Sequence, residues 1–193
     1  MMLILATAIL FCFPEALLGA GLPEATLGGL IPASFPNRDP SSYTIRYLSQ
    51  LLGSDSEDCL TSQLHTGTDS PGAKVQYCRT LRYALTGQHS GQMFQDIHNL
   101  ILVVSPGTYA FNFNGPLEVS HSSNFIIAKD PLLSGEATFK CDTLREDRFN
   151  NLHIFRSENL ALQELTFTQC GPFSYAVSLS RVTNLLLRSN TFR

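Results

Sequence analysis

Leu117–Ile127 (LEVSHSSNFII), Leu152–Leu162 (LHIFRSENLAL) and Val177–Leu187 (VSLSRVTNLLL) superpose position by position, at offsets of 35 and then 25 residues. Leu117, Leu152 and Val177 coincide, as do Val119, Ile154 and Leu179, then Phe125, Leu160 and Leu185, then Ile127, Leu162 and Leu187. Asn124, Asn159 and Asn184 also fall together. The match runs on, since Asn159–Phe167 (NLALQELTF) and Asn184–Phe192 (NLLLRSNTF) both end in Thr-Phe. Apolar positions two apart mark strands, and a unit made of two or three very short strands cannot close a core alone. Such units must stack, which predicts an all-β solenoid with strands at a spacing of about 4.8 Å and inward apolar columns. The longer first interval fits a loop around Asp130–Glu136. Asn tolerates the left-handed turn conformation and bonds to like amides, so Asn124, Asn159 and Asn184 read as a structural ladder.

Upstream of the repeat, Leu100–Val104 is a β-branched apolar run stopped by Ser105-Pro106-Gly107, a strand followed by a tight turn. Leu81, Ala84 and Leu85 share one helix face, with Gly87 placed to close it, which predicts a short helix over 78–86. Residues 21–58 carry Pro23, Pro32, Pro36 and Pro40 with a polar Ser54–Asp58 run and read as an extended or linker segment. Within them, Tyr43–Leu52 has the spacing of a short helix or strand. Met2–Phe13 is apolar but too short to cross a bilayer, and it suits the core of a secretory signal peptide over residues 1–20. Cleavage fits best after Ala20, with Gly19 and Ala25 as alternatives; the competing reading is a buried N-terminal helix. The domain scheme is therefore a leader at 1–20, a segment at 21–58 and a β domain at 59–193, its cap at about 59–99 and its coils at about 100–193.

Of 193 residues, 44% are hydrophobic and 15% charged, enough to bury a core, and the formal charge is −3. That balance lacks the basic footprint of a nucleic-acid binder. Without the leader four cysteines remain, and in an oxidising compartment Cys59, Cys78, Cys141 and Cys170 allow three pairings, the most local being Cys59–Cys78 and Cys141–Cys170. These features place the protein outside the cell or on its extracellular face. No ligand spacing for zinc occurs, and neither a metal nor a cofactor is expected.

Cys78–Leu85 (CRTLRYAL), Val104–Tyr109 (VSPGTY) and Leu165–Gly171 (LTFTQCG), taken with the repeat, resemble the right-handed parallel β-helix superfamily that includes pectin lyases. They look most like the opening of large secreted or cell-surface β-helix proteins of the polymorphic-membrane-protein-like type. The resemblance implies a right-handed parallel β-helix in which the short helix caps the first coil. It also implies a non-catalytic role in adhesion, surface structure or glycan contact, with glycans or other surface proteins as partners. Family members run to many more coils. Here Leu185, Leu187 and Phe192 would be left on an open last coil, so the chain is expected to be truncated and to continue, self-associate or be covered by a partner.

A lyase or hydrolase needs acids and bases at equivalent outward positions on adjacent coils. The aligned positions give Glu118 with His153 and Ser178, and Ser120 with Phe155 and Ser180, with no acidic pair. No catalytic residue is assigned. The alternative, a polysaccharide lyase or glycoside hydrolase, would need catalytic coils outside this stretch. Asp130, Asp142 and Asp147 lie in loop-like stretches without calcium-site spacing, and His65, His89 and His98 read as surface residues. His121, Arg156 and Arg181 do coincide in the alignment and form a candidate surface binding stripe.

Overall fold

The structure, a computed structural model, describes residues 21–61, 75–88, 93–111, 117–141, 149–168 and 174–193. The leader at 1–20, His65, His89, Asp142, Asp147 and Cys170 lie outside these residues.

Strands dominate: β1 (Thr44–Leu48), β2 (Tyr77–Cys78), β3 (Met93–Gln95), β4 (His98–Val104), β5 (Gly107–Ala110), β6 (Leu117–Ser120), β7 (Ser123–Lys129), β8 (Ala137–Lys140), β9 (Phe149–Gln163), β10 (Leu165–Thr168), β11 (Ser174–Arg188) and β12 (Thr191–Phe192). Two short helices, α1 (Glu24–Leu30) and α2 (Leu81–Thr86), accompany them. Every described strand pairing is parallel. The aligned residues of the repeat sit opposite one another: Leu117 faces Leu152, Leu152 faces Val177, and Phe125 and Leu185 flank Leu160.

The expected right-handed parallel β-helix is corrected. The strands form two flat sheets, one of eight strands and one of four, the latter ordered β12-β10-β8-β5, and they do not make up a solenoid. The repeat reading breaks each unit into very short strands at a corner, whereas β9 and β11 each run for 15 residues. Backbone φ is positive at Arg156 and Asn159 and at Arg181 and Asn184, yet pairing resumes between these bends, with Ser157 opposite Val182 and Glu158 opposite Thr183. Pairing on both sides of the bend joins β6 and β7 to the same strand, β9, and merges the units into one broad sheet.

Alternate residues then face two different cores. Leu100, Leu102, Phe125, Ile127, Leu160 and Leu162 point toward the smaller sheet and share a core with its Tyr109, Phe139 and Phe167. Phe139 stacks on Phe167 at 5.7 Å and Phe167 on Phe192 at 5.1 Å between ring centres. Ile45, Ile101, Ile126 and Ala161 point the other way, where Leu22, Leu27, Leu30, Ile31 and Phe35 cover them. Residues 21–58, read from composition as a linker, thus supply both strand β1, which pairs between β2 and β4, and the layer that closes the second face. Three polar contacts fix that layer: Leu22 N–H to Tyr47 Oη at 2.7 Å, Gln163 Nε2 to Leu30 O at 2.6 Å, and Asn184 Nδ2 to Ser34 O at 3.0 Å.

Helix α2 is shorter than the 78–86 expected. Thr80 caps it by accepting from Tyr83 N–H, and Gly87 closes it in the left-handed region at φ 71°. Leu81, Ala84 and Leu85 enter the main core, and Arg46 Nη1 donates to Ala84 O at 2.7 Å. The Cys59–Cys78 disulfide ties the short turn of helix at Glu57–Leu60 to β2. Cys141 is buried and also disulfide-bonded.

Candidate functional site: a basic groove beside the asparagine ladder

The bend shared by the repeat units builds the site. Asn99, Asn124, Asn159 and Asn184 all have φ near 50°, the conformation Asn tolerates best after Gly. Their side chains bond in series, Asn124 Nδ2 to Asn99 Oδ1 at 2.7 Å, Asn159 Nδ2 to Asn124 Oδ1 at 2.9 Å and Asn184 Nδ2 to Asn159 Oδ1 at 2.6 Å. Three residues earlier in each unit stand Asp96, His121, Arg156 and Arg181, again at positive φ. Arg gains nothing from that conformation, which costs a non-glycine residue about 1–2 kcal/mol. Strain of this kind collects at sites of function.

Between the two rows the backbone is held by small hydroxyl side chains. Ser122 is buried and its Oγ donates to Ser120 O at 3.2 Å, while Ser157 Oγ donates to Phe155 O at 3.0 Å and accepts from Ser122 N–H at 3.2 Å. The result is a shallow groove of about 370 Å³ running across the strands. His98, His121, Arg156, Arg181, Ser123, Glu158 and Thr183 line it along with Ser122 and Ser157. Because neighbouring strands lie about 4.8 Å apart, the aligned His121, Arg156 and Arg181 span about 10 Å. Each is exposed. His98 Nδ1 and Ser123 Oγ are 2.7 Å apart, and Glu158 is the one carboxylate in the described lining.

The groove brings together the His121, Arg156 and Arg181 stripe expected from the alignment. Sequence reading missed His98, Asn99, Ser123, Glu158 and Thr183, although stepping back 25 residues from Asn124 and Ser123 lands on Asn99 and His98. The outward Glu118 and His153 approach to 3.7 Å, and Ser180 Oγ lies 3.5 Å from His153 Nε2. They form one acid beside an imidazole rather than a pair of carboxylates. Among the described residues no group of three or more His, Cys, Asp or Glu is placed to hold a metal ion.

A second cavity of about 220 Å³ lies beside α2, lined by Arg79, Thr80, Leu81, Arg82, Tyr109 and Phe111 among others. Tyr109 Oη donates to Ser105 O at 2.8 Å, and burial pushes its hydroxyl up to about 12, so this phenol is a fixed donor. Among the described residues no helix is long and apolar enough to cross a membrane. No protein-family model, curated protein or solved structure matches the chain.

Proposed function

We propose that this protein is a non-catalytic domain, extracellular or at the cell surface, that contacts anionic glycans through the basic groove and so serves adhesion or surface structure. The observation that carries this reading is the alignment of His121, Arg156 and Arg181 on adjacent strands above a hydroxyl-lined floor. Sulfate and carboxylate groups accept from guanidinium in a bidentate fork, while Ser123 and Thr183 offer the hydroxyl contacts that sugars use. A strand spacing of about 4.8 Å is close to the length of one sugar residue, so a linear chain crossing the strands would meet one cation per unit. The Cys59–Cys78 bridge supports an oxidising compartment.

Titration of the whole chain against immobilised heparin, polygalacturonate and neutral dextran tests this. The acidic polymers should bind, more weakly as salt rises, and dextran should not. Replacing both Arg156 and Arg181 with Ala should weaken binding about tenfold, since two exposed ion pairs contribute about 1.4 kcal/mol together. Equal retention on dextran, or no change in the double variant, would overturn the glycan reading. Release of unsaturated uronate products would overturn the non-catalytic one.

A further inference from the structure

Strand β11 pairs with β9 on one side, and no described strand pairs with its other side. Leu185, Leu187 and Phe192 are 40%, 47% and 58% exposed, while Leu160, Leu162 and Phe167, one strand below in the same columns, are at most 1% exposed. An open row of N–H and C=O groups beside half-finished apolar columns is a template for strand addition. The charge on this edge is one-sided. Strand β11 carries Arg181 and Arg188 and no Asp or Glu, while Arg193, beyond it, is already paired with Glu136 at 2.7 Å. Strand β9, which β11 already accepts as a neighbour, carries Asn159-Leu160-Ala161-Leu162 between Glu158 and the adjoining Glu164. Glu158 sits opposite Thr183, and Arg188 Nη2 comes within 4.0 Å of Glu164 Oε1.

From this we infer that the β11 edge is a docking site for an extended strand of another polypeptide, added in parallel, with alternating apolar residues flanked by acidic ones. Its apolar residues would continue the Leu185 and Leu187 columns, and its carboxylates would meet Arg181 and Arg188. Asn184 donates both to Asn159 and to Ser34, which leaves its Oδ1 as the acceptor for an incoming amide. A second copy of this chain fits poorly. Two such edges meeting would set arginine rows against each other, and like charges across strands destabilise pairing. On the far side of β9 the sheet ends at β2, beside which α2 packs, and in its other branch at β3.

The probe is a synthetic peptide copying Ser157–Leu165 (SENLALQEL), followed by fluorescence anisotropy and by amide exchange of the full chain. A control peptide carries Lys in place of both Glu residues. The acidic peptide should bind and slow exchange over residues 182–188, and the lysine peptide should bind at least tenfold more weakly. Leu187→Asp should abolish binding while leaving the circular dichroism spectrum unchanged, because this side chain is half exposed. Equal binding of the two peptides, no binding at millimolar concentration, or protection elsewhere on the chain would overturn the inference. So would a dimeric mass in light scattering with residues 182–188 already protected, which would make a second copy the occupant.

Discussion

Asn184 Nδ2 donates to Asn159 Oδ1 at 2.6 Å, and Asn159 Nδ2 donates in turn to Asn124 Oδ1 at 2.9 Å, so the Asn159 amide is both donor and acceptor in a row that crosses the strands. All three residues also hold the backbone at positive φ, which couples the bend to the ladder. Asn159→Ala removes one part-buried and one exposed hydrogen bond, at about 1 kcal/mol each, and adds a left-handed penalty of about 1 kcal/mol. The expected loss is about 3 kcal/mol by urea denaturation. Asn159→Gly forfeits the bonds but accepts the bend, so it should lose less than the alanine variant. Equal losses in the two variants would show that the bend is not what the asparagine serves.

Leu162 and Leu187 occupy one column at adjacent levels, the first fully buried and the second half exposed. Leu162→Ala should cost about 3 kcal/mol through lost burial and the cavity left behind, and Leu187→Ala under about 1 kcal/mol. Leu162→Asp should abolish folding, because it buries a charge with no partner. A folded Leu162→Asp protein would mean that this residue faces solvent.

Much of the register was legible because identical chemistry recurs at fixed intervals: Leu117, Leu152 and Val177 align in the sequence and face each other in the sheet. What the strands assemble into was not. Period-two spacing tracks one face: it marks Leu160 and Leu162 as inward and carries no sign that Ala161 between them is buried against a second layer. The consecutive apolar residues of Leu100–Val104 and Phe125–Ala128 carried the missing signal, since a strand buried on both faces loses its alternation. Residues 22–35, which cover that second face, were hidden by their prolines and glycines, which look like a linker wherever the packing partner is distant in sequence. The continuity of β9 through Arg156 and Asn159 was equally invisible, because polar residues at a bend read as a corner that ends a strand.

The Cys59–Cys78 bridge closes a loop with a sequence separation of 19. Chain-entropy arguments give such a loop about 3 kcal/mol of stabilisation. The double change to Ser should lower stability by about that amount and loosen α2, whose carbonyls Arg46 holds from β1. Cys141→Ser should expose one titratable thiol, and peptide mapping should find it at Cys170. A thiol appearing at Cys59 or Cys78 would refute the local pairing.

Asp130 follows β7 and is only 5% exposed. Burial raises its pKa above the ordinary carboxylate value of 3.8, outweighing the opposing pull of the Leu132 N–H, Lys129 and the Leu133 N–H. A carboxyl whose pKa is higher folded than unfolded binds more protons in the native state, so its contribution falls as pH rises through that window. Ionised Asp130 therefore costs stability at neutral pH, and the cost disappears once both states are protonated. Asn keeps the carbonyl that accepts from Leu132 N–H, at 2.9 Å in the native chain, and removes the titration. Asp130→Asn should raise the melting temperature at pH 7, and the gain should shrink steadily toward pH 3. Parallel curves for the two proteins, or a native protein more stable at pH 7, would show instead that the ionised carboxylate is held by its hydrogen bonds and Lys129 more strongly than burial opposes it.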